Sequence, residues 1–236
     1  MLTKRRDPYW EGFLPQHSLF IGTHCGEAEP QENAAPKLSE STKIDLMEHL
    51  SSQIKGCNDC RLCETRTQVV VGVGNPSAPL VFVGEGPGEQ EDLKGIPFVG
   101  PAGQLLDRMM GAIGQNREST YVCNIVKCRP PKNRNPEEDE IAKCRKHLER
   151  QLSIVSPELV VALGKVAAQA LLGRDVRITK ERGEIYDASI GEKKFKVLLT
   201  YHPSYLLRNP SAKKEAWVDM QRIAKIMGFE IIRVKR

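Results

Sequence analysis

The chain has 236 residues, enough for one α/β domain of ordinary size plus an extra segment, and 40% of them are hydrophobic, as in soluble globular proteins. No apolar run reaches the ~18 residues of a membrane-spanning helix, and the basic start Met1-Leu2-Thr3-Lys4-Arg5-Arg6 has no apolar stretch behind it. Neither a membrane anchor nor a secretory signal is expected, the cytoplasm is the default compartment, and a formal charge of +5 fits nucleic-acid binding without establishing it.

Residues 1–40 carry Pro8, Pro15, Pro30 and Pro36, many polar residues and no helical or strand period. They read as a disordered extension in which His17, His24 and Cys25 are solvated side chains. A single domain is expected over 41–236. Ser41 or Thr42 can cap its first helix, with Ile44, Met47, Leu50 and Ile54 on one face. Leu80-Val81-Phe82-Val83 reads as a buried strand ending at Gly84, and the next helix turns Leu105, Leu106, Met109, Met110 and Ile113 inward. A second strand is expected over 121–126. A charged helix over 136–155 follows, with Glu137, Glu138 and Asp139 in its first turn, where the helix dipole favours acids. Then come a strand over 159–163, a helix over 165–172, two strands over 184–190 and 194–201 joined through Gly191, a helix over about 211–227 and a short closing strand. This alternation predicts an α/β fold: a central, mainly parallel sheet flanked by helices. Such sheets bind ligands beyond the carboxyl ends of their strands, here just after Val83, around Val126 and around Tyr201.

The seven cysteines are an odd count in a chain without a signal peptide, which argues for metal or cluster ligation over a disulfide framework. Cys57, Cys60 and Cys63 form two overlapping C-x-x-C pairs, and Cys128 and Cys144 follow with fifteen residues between them. Four thiolates can hold zinc or an iron–sulfur cluster, and the spacing leaves both open. Cys123, in mid-strand, reads as a small buried hydrophobe.

The loop Gly84-Glu85-Gly86-Pro87-Gly88-Glu89 lets backbone N–H groups approach a ligand closely, although it lacks both the dinucleotide and the P-loop patterns. Three further segments join it: Gly95-Ile96-Pro97-Phe98-Val99-Gly100-Pro101-Ala102-Gly103, Asn124-Ile125-Val126-Lys127-Cys128-Arg129-Pro130-Pro131, and His202-Pro203-Ser204-Tyr205-Leu206-Leu207-Arg208. In this order, and with the cysteines, they closely resemble the family 4 uracil-DNA glycosylases, the iron–sulfur branch of the uracil-DNA glycosylase superfamily. The resemblance runs from about Cys57 to Met227 and leaves the N-terminal extension uncovered.

The resemblance implies a monomeric enzyme that releases uracil from DNA and leaves an abasic site. It also implies a [4Fe–4S] cluster, structural in role, on Cys57, Cys60, Cys128 and Cys144, and it leaves Cys63 without a ligand role. Phe98 would stack on the flipped base and Asn124 would read its edge. His202, with the backbone at Glu85 and Gly86 and with Pro87 alongside, would stabilise the departing uracil anion. Some other branches carry an acid or Asn at the position of Gly86 to handle water; with Gly86 there, Glu85 and Glu91 are the carboxylates expected to guide water or to block the thymine methyl. Leu206 or Leu207, expected in a loop, would wedge into the gap left by the base. Lys127, Arg129, Lys132, Arg134 and Arg208 are expected phosphate contacts. The basic insert with which a related branch captures the abasic sugar covalently is absent from the sequence, so simple turnover is expected. A cluster-based electron carrier and a zinc-stapled nucleic-acid-binding module are the competing classes.

Overall fold

The computed structural model describes residues 38–190 and 193–232. The expectations for residues 1–37, for Cys25 and for Gly191 as a strand link therefore lie outside the described residues. Helix α1 (Glu40–Lys55) starts earlier than its sequence pattern suggests: Ser39, not Ser41 or Thr42, is the cap, accepting the Thr42 N–H at 3.2 Å. Only Met47, Leu50 and Ile54 of its expected inner face are buried, while Ile44 is 40% exposed. Near its amino-terminal end Lys43 Nζ donates to the Val155 carbonyl at the end of α4 (Glu138–Val155), 2.8 Å.

The other strands and helices that frame the site are β1 (Val73–Gly74), β2 (Leu80–Gly84), α2 (Glu89–Lys94), α3 (Pro101–Ala112), β3 (Tyr121–Asn124) and β4 (Leu159–Leu163). After them come α5 (Lys165–Leu172), α6 (Ile178–Glu181), β5 (Ile185–Ile190), β6 (Lys193–Thr200), α7 (Pro203–Arg208) and α8 (Lys213–Met227). The sheet has the order β1-β3-β2-β4-β6-β5. Its four inner strands are parallel, and the edge strands β1 and β5 run antiparallel to their neighbours.

Strands β2, β3 and β4 are buried along their whole length, as strands covered on both faces must be. On one face Val81, Val83, Val160 and Ala162 pack under Leu50 and Ile54 of α1, Leu148 and Leu152 of α4, and Ala167 of α5. On the other, Phe82 and Val161 pack under Leu105 and Met109 of α3 and Met220 and Ile223 of α8.

Three boundaries differ from the sequence pattern. β3 ends at Asn124, two residues short of Val126, because Ile125 and Val126 turn their N–H groups onto the carbonyls of Gly84 and Glu85, at 2.9 and 3.1 Å. Glu137 is the cap of α4, and its first turn holds Glu138, Asp139 and Glu140. Among the described residues no strand follows α8; Ile232 N–H instead meets the Ala112 carbonyl at 3.1 Å. The two-residue β1 is too short to register as a periodic pattern.

From β2 the chain crosses to β3 on one side, and from β4 it crosses to β6 on the other. The carboxyl ends of β2 and β4 therefore flank a switch point, where an open α/β sheet leaves a crevice.

Candidate active site and cysteine centre

A cavity of about 570 Å³ occupies that crevice. The loop after β2 contributes Glu85, Gly86 and Pro87, β3 contributes Asn124, and the turn after β6 contributes His202. Phe98 reaches it from the α2–α3 connection, and the start of α5 closes one wall with Gly164, Lys165 and Gln169. The sequence motifs missed that last wall, although the rule that placed the chemistry after the other strands applied equally to the end of β4.

Phe98 is buried with φ 54°, a left-handed conformation that costs a non-glycine residue about 1–3 kcal/mol. Its neighbours hold it there. Glu91 accepts from the N–H groups of Val99 and Gly100, both at 2.9 Å, and from Gly88 at 3.2 Å. Arg117 donates to the carbonyls of Pro97, at 2.9 Å, and of Phe98. Glu91, expected near water or the thymine methyl, is thus committed to the backbone of both glycine-rich loops and positions Phe98. Gly84 explains why the flat groups sit so close to the strand end: a Cβ there would collide with Asn124 Oδ1 and the Phe98 ring.

Asn124 is buried, and its Oδ1 has no hydrogen-bond partner within the protein. An orphaned buried acceptor costs about 1–3 kcal/mol and marks a place for a ligand donor. His202 caps α7: Ser204 N–H donates to its Nδ1 at 3.1 Å, and the Ser204 hydroxyl lies 2.8 Å from the same nitrogen. Burial, with Arg208 adding to it, pushes the His202 pKa down to about 4. The ring is therefore neutral at pH 7, and because Nδ1 accepts, the proton sits on Nε2. The ring lies 5.7 Å from Phe98, centroid to centroid. Burial also raises the Glu85 carboxyl above its ordinary range.

Several expected DNA contacts change role. Leu206 lies within helix α7, fully buried in the core, so it cannot wedge between bases; Leu207, in the same helix, is 39% exposed. Lys127 is buried, and its Nζ donates to the Asn124 carbonyl at 2.7 Å, out of reach of a phosphate. Arg134 is held by Glu140 through two bonds, 2.9 and 2.6 Å, and Arg129 donates to Asn133 Oδ1 at 2.8 Å. Lys132 and Arg208 stay exposed, and Arg208 lines the cavity.

Cys57, Cys60, Cys128 and Cys144 converge on a second, small cavity behind β3, and Cys63 lies in its lining with them. Their sulfurs already meet donors: Arg66 Nη1 lies 3.1 Å from Cys128 Sγ, and Lys127 N–H lies 3.3 Å from Cys144 Sγ. His147 Nε2 is 3.2 Å from Cys57 Sγ, which donates to Asp59 Oδ2 at 3.0 Å. Among the described residues the group of three ligating side chains whose donor atoms fall within 4.8 Å of one another is Cys57, Asp59 and His147; no three thiols do so. Cys123 is buried in β3, as expected.

The segments carrying these cysteines are tied together by Glu140, which the sequence reading overlooked as one acid of a charged helix. Its fully buried carboxylate accepts from Arg61 Nε beside Cys60 at 2.9 Å, from Arg134 in the loop after Cys128, and from Glu137 N–H at 2.8 Å. The Arg134 bonds foremost hold its pKa down to about 2.

Residues 71–221 match the family model of the uracil DNA glycosylase superfamily. The chain is 50% identical over 189 residues to a type-4 uracil-DNA glycosylase of Thermotoga maritima, covering 80% of this chain and 96% of that one. It is 41% identical over 189 residues to a type-4 uracil-DNA glycosylase of Archaeoglobus fulgidus, covering 78% of this chain and 95% of that one. A third, from Sulfurisphaera tokodaii, is 42% identical over 188 residues, covering 78% and 86%. Among the described residues no helix is long and apolar enough to cross a membrane. With the family model matched across the sheet and the type-4 enzymes matched over most of both chains, this chain belongs to the uracil-DNA glycosylase superfamily, in its type-4 branch.

Proposed function

We propose that the chain hydrolyses the N-glycosidic bond of deoxyuridine in DNA, releasing uracil and leaving an abasic site. The observation that carries this is Asn124 Oδ1, a buried acceptor without a protein partner on the wall of the cavity. In a flipped uracil the N3–H would donate to that oxygen and O4 would accept from the Asn124 amide. Cytosine offers an acceptor at N3 and a donor at C4, so it would leave both ends of the amide unpaired.

Phe98, held by the Glu91 and Arg117 bonds, is the stacking platform. Bond cleavage leaves negative charge on the departing uracil and positive charge on the sugar. The neutral His202, with its proton on Nε2, donates to uracil O2 as that charge grows, aided by the backbone N–H groups at Glu85 and Gly86. A neutral imidazole reorganises little, because the Ser204 bonds fix its tautomer before substrate arrives. With Glu91 occupied, Glu85 is the carboxylate that handles water. Leu207 is the wedge, and Arg208, Lys132 and Lys165 hold phosphates at the rim. All of these groups come from one chain, so a monomer acting on uracil-containing DNA suffices.

Cys57, Cys60, Cys128 and Cys144 would hold a [4Fe–4S] cluster. The donor set is soft, and N–H donors meet two of its sulfurs. When bound, the cluster supplies a rigid four-point anchor for the segments that carry its ligands.

The test is a single-uracil oligonucleotide incubated with purified protein whose iron and visible absorbance have been measured. Release of free uracil by iron-containing, coloured protein is the expected result. Coloured protein that releases no uracil would return the electron-carrier reading, and zinc in place of iron would overturn the cluster.

A further inference from the structure

Lys127 is unusual twice over. It is 1% exposed, and among the described residues no carboxylate forms an ion pair with it. A buried ammonium gains from nearby negative charge, because the desolvation penalty is several kcal/mol and one carbonyl dipole covers a part of it. The groups around it explain the placement. It lines the small cavity shared by Cys57, Cys60, Cys128 and Cys144, and its backbone N–H donates to Cys144 Sγ at 3.3 Å. Its Nζ turns the other way along the chain, to the carbonyl of Asn124 at 2.7 Å. Arg66 also meets a sulfur of the centre, but its second bond goes to Asn58, within the cysteine-bearing segment and away from the uracil cavity.

We infer that Lys127 is the positioning residue that joins the cysteine centre to the base reader. The thiolate-ligated centre supplies negative charge that stabilises its ammonium, and the ammonium in turn fixes the Asn124 backbone so that Oδ1 meets the uracil edge at one height and angle. This rests on the proposed reading that the centre holds an iron–sulfur cluster and that Asn124 reads uracil. It adds that the two sites are coupled through a single side chain. The centre would then act on base recognition without touching the base, and Asn124, which needs something to keep it from tilting, acquires a support reaching back through three residues.

The experiment uses the full-length, iron-loaded protein and the variants Lys127→Met and Lys127→Arg, with circular dichroism to establish that each is folded. Two quantities are read: the reduction potential of the cluster, and the inhibition constant for free uracil. Removing a cation from beside the cluster disfavours the added electron, so Lys127→Met should move the potential to a more negative value. Loss of the Asn124 tether should weaken uracil inhibition about tenfold. Lys127→Arg, which keeps the charge, should hold the potential near that of the parent. A Lys127→Met protein in which either the potential or the uracil inhibition is unchanged overturns the coupling. If Lys127→Met does not fold, Lys127→Gln replaces it and the same two readings decide. Failure of the underlying reading is seen separately and first: parent protein without iron, or without affinity for uracil, refutes the cluster or the base-reading assignment before any variant is made.

Discussion

The uracil cavity and the cysteine centre lie on either side of the end of β3 and treat their polar groups in opposite ways. The cavity withholds partners: Asn124 Oδ1 is buried and unpaired, and His202 is neutral with one nitrogen pointing away from its protein bonds. The cysteine centre supplies partners: two sulfurs already face nitrogen donors, and Glu140 gathers three segments with bonds at 2.6 to 2.9 Å. A site for a transient ligand keeps its hydrogen bonds in reserve, while a site for a permanent one invests them in position. Substitutions in the cavity should therefore change the reaction and spare stability. Those around the cysteines, Lys127 aside, should do the reverse.

The largest effect is expected at His202. His202→Ala removes the donor that meets the developing negative charge, and loss of one such donor lowers kcat by about 10²–10³. Single-turnover uracil release measures it, and the melting temperature should stay within a few degrees because His202 bonds only within its own turn. A fall in melting temperature that tracked the loss of rate would make His202 a structural cap instead. Asn124→Ala comes next. It deletes the two bonds that read the uracil edge and should cost about 10–100-fold in kcat/KM on a single-uracil oligonucleotide. Stability should be unchanged or slightly higher, since the unpaired acceptor is gone.

Much of this was legible in the sequence because it was local. Buried apolar runs at 80–83 and 159–163 are strands, the inward stripe from Leu105 to Met110 is helical, and three of the four motifs fall at strand ends where an α/β sheet binds ligands, the motif with Phe98 joining two helices instead. What the sequence hid was longer in range. Glu140 looks like its acidic neighbours until the fold brings Arg61 and Arg134 to it. Lys127 sits in a basic loop and reads as a phosphate contact until β3 carries it inward. Leu206 and Leu207 are adjacent and chemically alike, and only the docking of α7 on the core decides that the first is buried. Glu91 reads as a loop carboxylate because its partners, Val99 and Gly100, lie eight and nine residues away across a turn.

On the other side of the comparison, Glu140→Gln should destabilise the fold by about 2 kcal/mol, the scale of charged hydrogen bonds lost at a buried site, with little change in kcat. Its pH signature has a definite sign. The folded-state pKa, about 2, lies below the ordinary glutamate value of 4.5, so the contribution is present above about pH 4.5 and is lost as the pH falls from there toward 2. Thermal melts should show the parent losing more stability than Glu140→Gln across that window. Parallel curves would mean that the two arginines hold the segments without help from the carboxylate.

The smallest expected effect concerns water. His202 is neutral down to about pH 4, so it contributes no inflection to kcat/KM near the ordinary histidine pKa of 6.5. The Glu85 carboxyl, raised by burial, must ionise to accept a proton from water, and its inflection lies above the ordinary glutamate value of 4.5. An acid limb of kcat/KM above the ordinary carboxylate range is the one expected from Glu85. Glu85→Gln should flatten that limb and lower the rate at neutral pH by about tenfold or less, because the cation-like sugar captures water with modest assistance. A limb that survives Glu85→Gln unchanged would remove Glu85 from the reaction. With Glu91 already bonded to three backbone N–H groups, water would then be left to the pocket's backbone and shape, and the contrast between the two regions would sharpen: a cavity that reads and releases the base with its side chains, and supplies no dedicated side chain for water.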